Sequence, residues 1–498
     1  MAPRIAGCWI GGKLKAWGQF CPVASDLGFR YSHVMRKPVL TAIALPDFGL
    51  PTTEPALARR LYQARIERLR LRMASLGLDA VVIYGDREHV ANISWATGYD
   101  PRFEEALLVV TRDRKPVLFA GNEGYPYAEI AAGEFERVLW QQLSLMGQPR
   151  DKSQPLVSLL QQAGLRQGMA IGLAGWKGFE DESGRYDPDW FETPHYLVST
   201  LKGFGPLRNI ADVLMNPVDG LRVINEVDQL ARFEYAATLS SQGIRNFVLG
   251  ARPGISEYDA CRNLGLNGFP LAVHVNMCSG PRAKYGLPSP SHRVMELGDP
   301  IVVGLGLMGA LNCRAGFLAR DANDLSAGIR DYVPKLVAPY FAAAVAWYET
   351  IGIGVAGGTV YDAVMAHVGD AFFGVGLNPG HYIHLDEWVH SPMKKGSTIK
   401  QCSGMALQCD IIPATGTDYF MSNIEDGMAL ADAATRVAFE RAYPEAWGRI
   451  MARRKFMIET MGIRLKPEVL PFSNMAAWLA PFWLSPGMAM AMRETAHG

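Results

Sequence analysis

Tyr62, Ile66, Leu69, Met73 and Leu76 recur at alternating spacings of four and three, with Arg and Glu between them. That spacing places the five on one face of a helix whose other face meets water. Gly77 follows, a residue that accepts the left-handed turn ending such a helix. Residues 80–84 (AVVIY) form an unbroken apolar run of strand length. Residues 106–110 and 116–120 flank the charged stretch 111–115, the pattern of a hairpin. Residues 169–173 read as a further strand, and 155–163 and 195–201 as helices. Strands alternating with helices make this part of the chain an α/β unit.

Residues 203–224 are rich in Gly, Pro and Asn and read as a linker. Val227, Leu230, Phe233 and Ala237 predict a helix over 226–249, ended by Gly250 and Pro253. Ser256 suits the N-cap of a second helix over 256–264. Strands are expected over 272–277, 300–307, 405–412 and 423–430. A long helix is expected over 326–348, bent at Pro334 and Pro339, and another over 360–368. Residues 440–465 read as helical and basic. In the Met-, Trp- and Pro-rich end, Phe472, Trp478, Phe482 and Trp483 are expected to be buried, since four large aromatics in one exposed patch invite aggregation. Residues 1–45 show no periodicity, and Met35 opens a segment continuous with the first domain, so the true start is expected at Met35. The division that results is an N-terminal extension (1–49), an α/β domain (50–215), a second domain (220–440) and a helical and apolar tail (441–498).

Composition narrows the function. The 498 residues carry 49 basic and 49 acidic side chains. That balance leaves no electrostatic footprint for nucleic acid or an anionic membrane. The seven Cys include no CxxC pair and are odd in number, which reads as reduced intracellular thiols. Residues 1–20 lack the apolar core of a signal peptide. The longest apolar candidate, 475–492, is interrupted by Pro481 and Pro486 and does not reach a bilayer-spanning length. A cytoplasmic location follows as the expectation.

Two strings fit GxGxxG, Gly304-Gly306-Gly309 and Gly352-Gly354-Gly357. A phosphate site needs a strand before the motif and a helix opening at its end. The first lacks the helix and the second the strand, so both read as turns. Walker A, HExxH and GxSxG motifs are absent. The chemistry concentrates instead in residues 380–390 (GHYIHLDEWVH), which hold three of the ten His together with Asp386 and Glu387. Imidazole and carboxylate together serve proton transfer near neutral pH and metal ligation. Asp410 and Glu425 follow, each in or beside an apolar strand run. A carboxylate buried there is costly unless paired, protonated or bound to a cation. As separate strands, the two can converge on the His loop.

With these residues in view, the chain from about 55 to 435 resembles the family of Xaa-Pro aminopeptidase, prolidase and creatinase, the M24 or pita-bread family. Gly380-His381 looks like that family's GHG-type loop, with His390 like its second His. Gly404-Met405 followed by Asp410-Ile411-Ile412-Pro413 looks like its GMxxxxEP strand, and Ile424-Glu425-Asp426 like its closing IED strand. Gly298-Asp299 with the strand after it, and Ser279-Gly280-Pro281-Arg282 upstream, look like two further elements. The resemblance implies a creatinase-like α/β N-terminal domain on a pita-bread α+β domain, commonly as a homodimer. It implies a hydrolase acting on a small-molecule or dipeptide-like substrate at an amide- or peptide-type C–N bond.

This chain departs from that pattern at three positions. The family's two metal-binding Asp, eleven apart, fall on Gly304 and Ala315, and a proton-handling His of its PHG-type loop falls on Leu287. His381, Asp410 and Glu425 remain. They can hold at most one divalent ion (Mn, Zn or Co), or do acid–base work without metal. His381 or His390 is the candidate base and Asp410 or Glu425 its partner, with Cys313 and Glu387 nearby. Arg314 and His384 are the candidate substrate-binding groups. A guanidinium at 314 could anchor an anion bidentately, or pair internally with Asp410 or Glu425. The alternative reading is a catalytically silent binding or scaffold protein that kept the fold.

Overall fold

The computed structural model describes residues 35–495. The expectations about residues 1–34, including the start at Met35, lie outside the described residues. Met35–Ala42, where no periodicity is read, is a strand. The elements below lie within the compact unit Lys37–Arg493. Among the described residues no helix is long and apolar enough to cross a membrane.

Helix α1 (Arg59–Ser75) buries Tyr62, Ile66, Leu69 and Met73, as the spacing requires. Leu76 falls at its C-cap, where the face turns outward, and is 39% exposed. Gly77 has φ +69° and takes the left-handed turn. The first sheet has six strands: β1 (Ala80–Gly85), β2 (Ala106–Thr111), β3 (Val117–Ala120), β4 (Glu136–Leu139), β5 (Ile171–Ala174) and β6 (Leu207–Asn209). They lie in the order β4-β3-β2-β1-β5-β6. The expected hairpin is β2 with β3, antiparallel, and β5 runs parallel to β1. β6 and the helix Ala211–Met215 lie inside the expected linker. Three- and five-residue elements are shorter than the window in which periodicity is visible.

The second sheet is antiparallel throughout. It comprises β7 (Asn276–Ser279), β8 (Pro300–Leu307), β9 (Ala310–Phe317), β10 (His381–Tyr382), β11 (Ala406–Asp410), β12 (Asn423–Leu430) and β13 (Val469–Pro471). The order is β7-β8-β9-β12-β11-β10, with β13 beside β12. β9 is not legible in the sequence, because Asn312, Cys313 and Arg314 interrupt its apolar pattern. The first GxGxxG string is the end of β8 and its tight turn: Gly309, at φ +105°, joins β8 to β9 and no helix follows. The helix expected over 326–348 is broken at its prolines into a 3-10 turn, a π-helical turn (Val333–Val337) and the helix Ala338–Thr350.

Strand alternation gives this sheet two faces. Register pairs Gly304 with Cys313, Cys313 with Glu425 and Glu425 with Asp410, so these four share one face. Leu305, Asn312, Arg314 and Asp426 share the other. Helix α2 (Val227–Gly250) crosses that other face, where Ser240 Oγ donates to the Leu305 carbonyl at 2.5 Å. Gly243 is needed for this approach: a Cβ there would lie 2.7 Å from the Leu264 carbonyl oxygen and 2.9 Å from the Leu305 side chain. Helix α3 (Pro444–Lys455) packs beside α2 through Glu234, which accepts from Arg449 and Arg453 at 2.7 Å each, all three buried. Phe472, Trp478, Phe482 and Trp483 are each at most 4% exposed. The segment after 440 thus supplies β13 and part of the core behind the sheet.

Candidate active site

His381 opens β10 directly after Gly380. That glycine has φ +100°, and a Cβ on it would lie 2.6 Å from the Gln408 carbonyl oxygen and 2.9 Å from Trp347 Nε1. Only glycine lets the loop press this closely on β11. His381 pairs with Gln408, two residues before Asp410, so its ring joins the face that carries Asp410 and Glu425. His381 is fully buried, and Asp410 and Glu425 are nearly so.

The distances are those of neighbours that are not hydrogen-bonded. Nε2 of His381 lies 3.6 Å from Glu425 Oε1, 3.9 Å from Asp410 Oδ2 and 3.5 Å from Glu387 Oε1. The other ring nitrogen, Nδ1, donates to the Tyr382 carbonyl at 3.1 Å. That bond fixes the tautomer and leaves the Nε2 lone pair facing the carboxylates. His381 Nε2, Asp410 Oδ1 and Glu425 Oε1 are buried with no hydrogen-bond partner. One ligand atom from each of the three residues lies within 4.8 Å of the others.

Burial raises the carboxyls of Asp410 and Glu425 above the ordinary range, and Asp410 is pushed further by the charge of Glu425. Glu387 is raised by burial too, against the attraction of His381. An imidazole lone pair among three carboxylates, with no Lys or Arg among the described residues in contact, is an arrangement that a divalent ion would complete.

The other expected residues fall elsewhere. Arg314 does not face the site. It neighbours Cys313 along β9 and so projects from the opposite face, where it donates to Asp426 at 2.7 Å and to the Trp478 carbonyl at 2.9 Å. It forms its ion pair with Asp426 and meets Glu425 only at the backbone carbonyl, 3.4 Å from Nη1, and it is 1% exposed. His384 is buried with its ring edge-on to Phe233, 5.2 Å between centroids, and burial beside Arg222 and Arg65 holds its pKa well below the usual value. Both side chains are buried away from solvent in this arrangement. His390 lines a neighbouring cleft of about 730 Å3 and is lowered by burial.

Two participants lacked a sequence signal. Trp388 stacks on His381, centroids 4.2 Å apart and planes 17° from parallel, and its far side lines the same cleft. Arg222, fully buried, forms an ion pair with Asp386 and so anchors the loop that carries Glu387 and Trp388. The positions of the two missing Asp are filled by packing. A Cβ on Gly304 would lie 2.5 Å from Cys313 Sγ. Ala315 belongs to a small apolar cluster with Cys278, Ala283, Val302 and Met421. Leu287 is 68% exposed.

Residues 65–180 match the family model of the Creatinase/Prolidase N-terminal domain. That match lies within the first α/β unit. The whole arrangement has the pita-bread fold of solved prolidases and Xaa-Pro aminopeptidases. Prolidase from Thermococcus sibiricus superposes with a TM-score of 0.58 at 17% identity, covering 74% of this chain and 95% of its own. Prolidase from Pyrococcus horikoshii gives 0.56 at 14%, with the same coverages. X-Pro aminopeptidase from Thermotoga maritima gives 0.55 at 15%, again with 74% and 95% covered. No curated protein sequence matches the chain.

Proposed function

We propose that this chain is a hydrolase of a small amide- or peptide-type C–N bond, working with one divalent ion held by His381, Asp410 and Glu425. The observation that carries this reading is the convergence of three buried, unpartnered ligand atoms on one point. Left unfilled, two raised carboxyls and an orphaned imidazole nitrogen are a cost to the fold. One imidazole and two carboxylates suit Mn, Zn or Co with positions left for water. A second ion is disfavoured, because Gly304 and Ala315 supply no bridging carboxylate.

An ion held by His381, Asp410 and Glu425 would supply Lewis acidity toward a water or a carbonyl. The chain's own groups do the rest. Glu387, 3.5 Å from His381 and partly open to solvent, is placed to accept a proton at the edge of the cluster and return it to a leaving amine. Its raised pKa suits that exchange near neutral pH. Trp388 shields His381 from water and offers a flat wall to a substrate in the cleft. Lys177 and Lys394 line the cleft and can meet a substrate carboxylate. An Xaa-Pro dipeptide is the first substrate to try, since proteins of this fold include prolidases.

The test measures metal per chain together with hydrolysis of a panel of Xaa-Pro dipeptides and small amides. One ion per chain and turnover abolished by Glu425→Gln are expected. Two tightly held ions would overturn the single-ion site. No ion, no turnover and no thermal shift with any panel member would favour the silent scaffold.

A further inference from the structure

Trp388 is stacked on His381 and at the same time lines the cleft of about 730 Å3, a volume that takes a small organic ligand. His381, Asp410 and Glu425 do not line it, so the cleft receives a part of the substrate beyond the bond that reacts. Its other aromatic walls come from the first α/β unit and are fixed in place. Phe179 and Tyr186 stand on a hairpin of two short strands, Phe179–Glu180 and Tyr186–Asp187. Gly178 lets the Tyr186 ring lie close, since a Cβ there would be 2.3 Å from its Cε2. The Tyr186 hydroxyl donates to Asn209 Oδ1 at 2.9 Å. Trp176 is stacked on His89, 4.4 Å between centroids. Lys177 Nζ lies 4.8 Å from the Trp176 centroid and 5.1 Å from that of Phe179, an ammonium held by two rings. No carboxylate among the described residues forms an ion pair with Lys177 or with Lys394, which also lines the cleft. Of the lining carboxylates, Asp212 already faces Arg208 at 3.8 Å, which leaves Glu180 against two lysines.

We propose that the leaving half of the substrate is an aromatic amino acid with a free carboxylate, its ring against Trp388 and its carboxylate on Lys177 and Lys394. This rests on the hydrolase reading above and names its substrate class. Aromatic side chains bury a large area and pair with other rings in offset or edge-on geometry. Walls already held by His381, Asn209 and His89 lose little freedom when a ligand arrives. Two lysines against one free acid favour an anionic end over an ammonium. In an acylated amino acid the carboxylate belongs to the amine side of the C–N bond, so a ring that shares the cleft with it belongs to the same half. Water adds across that bond. Its oxygen goes to the acyl carbon and a proton to the nitrogen, which releases a carboxylic acid and the free aromatic amino acid. Proline has no aromatic ring and leaves these walls unused.

Binding is measured first, by titration calorimetry on the metal-stripped full-length protein, where no ion contributes. N-acetylphenylalanine should bind at least about 10-fold more tightly than N-acetylalanine, the factor that burying an aromatic side chain supplies. It should also bind more tightly than its own carboxamide. Trp388→Ala should erase the first preference, and Lys177→Met, which keeps the apolar stem, should shrink the second. Hydrolysis is then measured on the metal-loaded wild type, where kcat/KM should follow the same order. The comparison of ligands on the wild type decides the matter even if a variant fails to fold. Equal or absent binding of the two acids would overturn the aromatic substrate, and turnover of an Xaa-Pro dipeptide would then leave the hydrolase standing. Selective binding with no hydrolysis of any compound would overturn the hydrolase and the substrate assignment together.

Discussion

Arg314 and Asp426 form a buried ion pair, 2.7 Å between Nη2 and Oδ2, with each side chain 2% exposed. Asp426 also accepts from Asn312 Nδ2 at 3.1 Å and from the Ala477 amide at 3.0 Å. Ala477 reaches it from a left-handed conformation, φ +62°, which a non-glycine residue adopts only when its surroundings hold it there. The pair therefore ties β9 and β12 to the C-terminal segment behind the site. Asp426→Asn should strand a buried guanidinium and cost about 3–5 kcal/mol. Chemical denaturation checks the loss. The folded fraction should keep its metal content, and a loss of metal without a loss of stability would place Arg314 in the site after all.

His381 and Glu425 should behave as one unit. His381→Asn and Glu425→Gln each keep volume and remove a ligand. Either should abolish turnover and weaken metal binding, and the double variant should be little worse than a single one. Additive losses, or unchanged specific activity in a destabilised protein, would mean that the pair is structural only.

The metal-stripped protein should show a pH signature. Burial raises the Glu425 carboxyl in the folded state. Below the unfolded carboxyl value of about 4 both states are protonated and the group contributes its full stability. As pH rises past that value the unfolded chain ionises while the folded protein resists, so stability is lost up to and through the raised folded pKa. Glu425→Gln cannot ionise. The melting temperature of stripped wild type should match that of the variant in acid and fall below it toward neutral pH, and Zn2+ should restore it. A constant gap across pH would count against the buried carboxyl.

Trp388 should hold the imidazole face of His381 by stacking. Trp388→Ala removes a contact of about 0.5–1.5 kcal/mol and opens the ring to water, so metal affinity should fall with a modest loss in melting temperature. Trp388→Phe should restore most of both. Titration calorimetry with Zn2+ on the two variants decides.

Truncation before Phe472 removes Trp478, Phe482 and Trp483 from the core together with the Ala477 amide that caps Asp426. Loss of solubility or a sharply lower melting temperature is expected. A truncated protein with unchanged melting would mean that the segment is dispensable.

What the sequence determined by itself is what short-range periodicity and residue chemistry determine. The spacing of Tyr62, Ile66, Leu69 and Met73 specified α1, the run at 80–84 specified β1, and the prolines at 334 and 339 broke a helix where they stand. The convergence of His381, Asp410 and Glu425 was also legible, because costly carboxylates in apolar strands after a His loop have few other uses. Only the tertiary structure decided the direction of Arg314. Its strand, β9, carries polar residues in its middle, so no alternation revealed that Cys313 faces the site and Arg314 the core. Register across three strands settles that, and register is a long-range property. The same holds for β6 inside an expected linker, which pairs with β5, and for the loop that stacks Trp388 on His381, which is held by the distant Arg222 through Asp386; no local pattern encodes either.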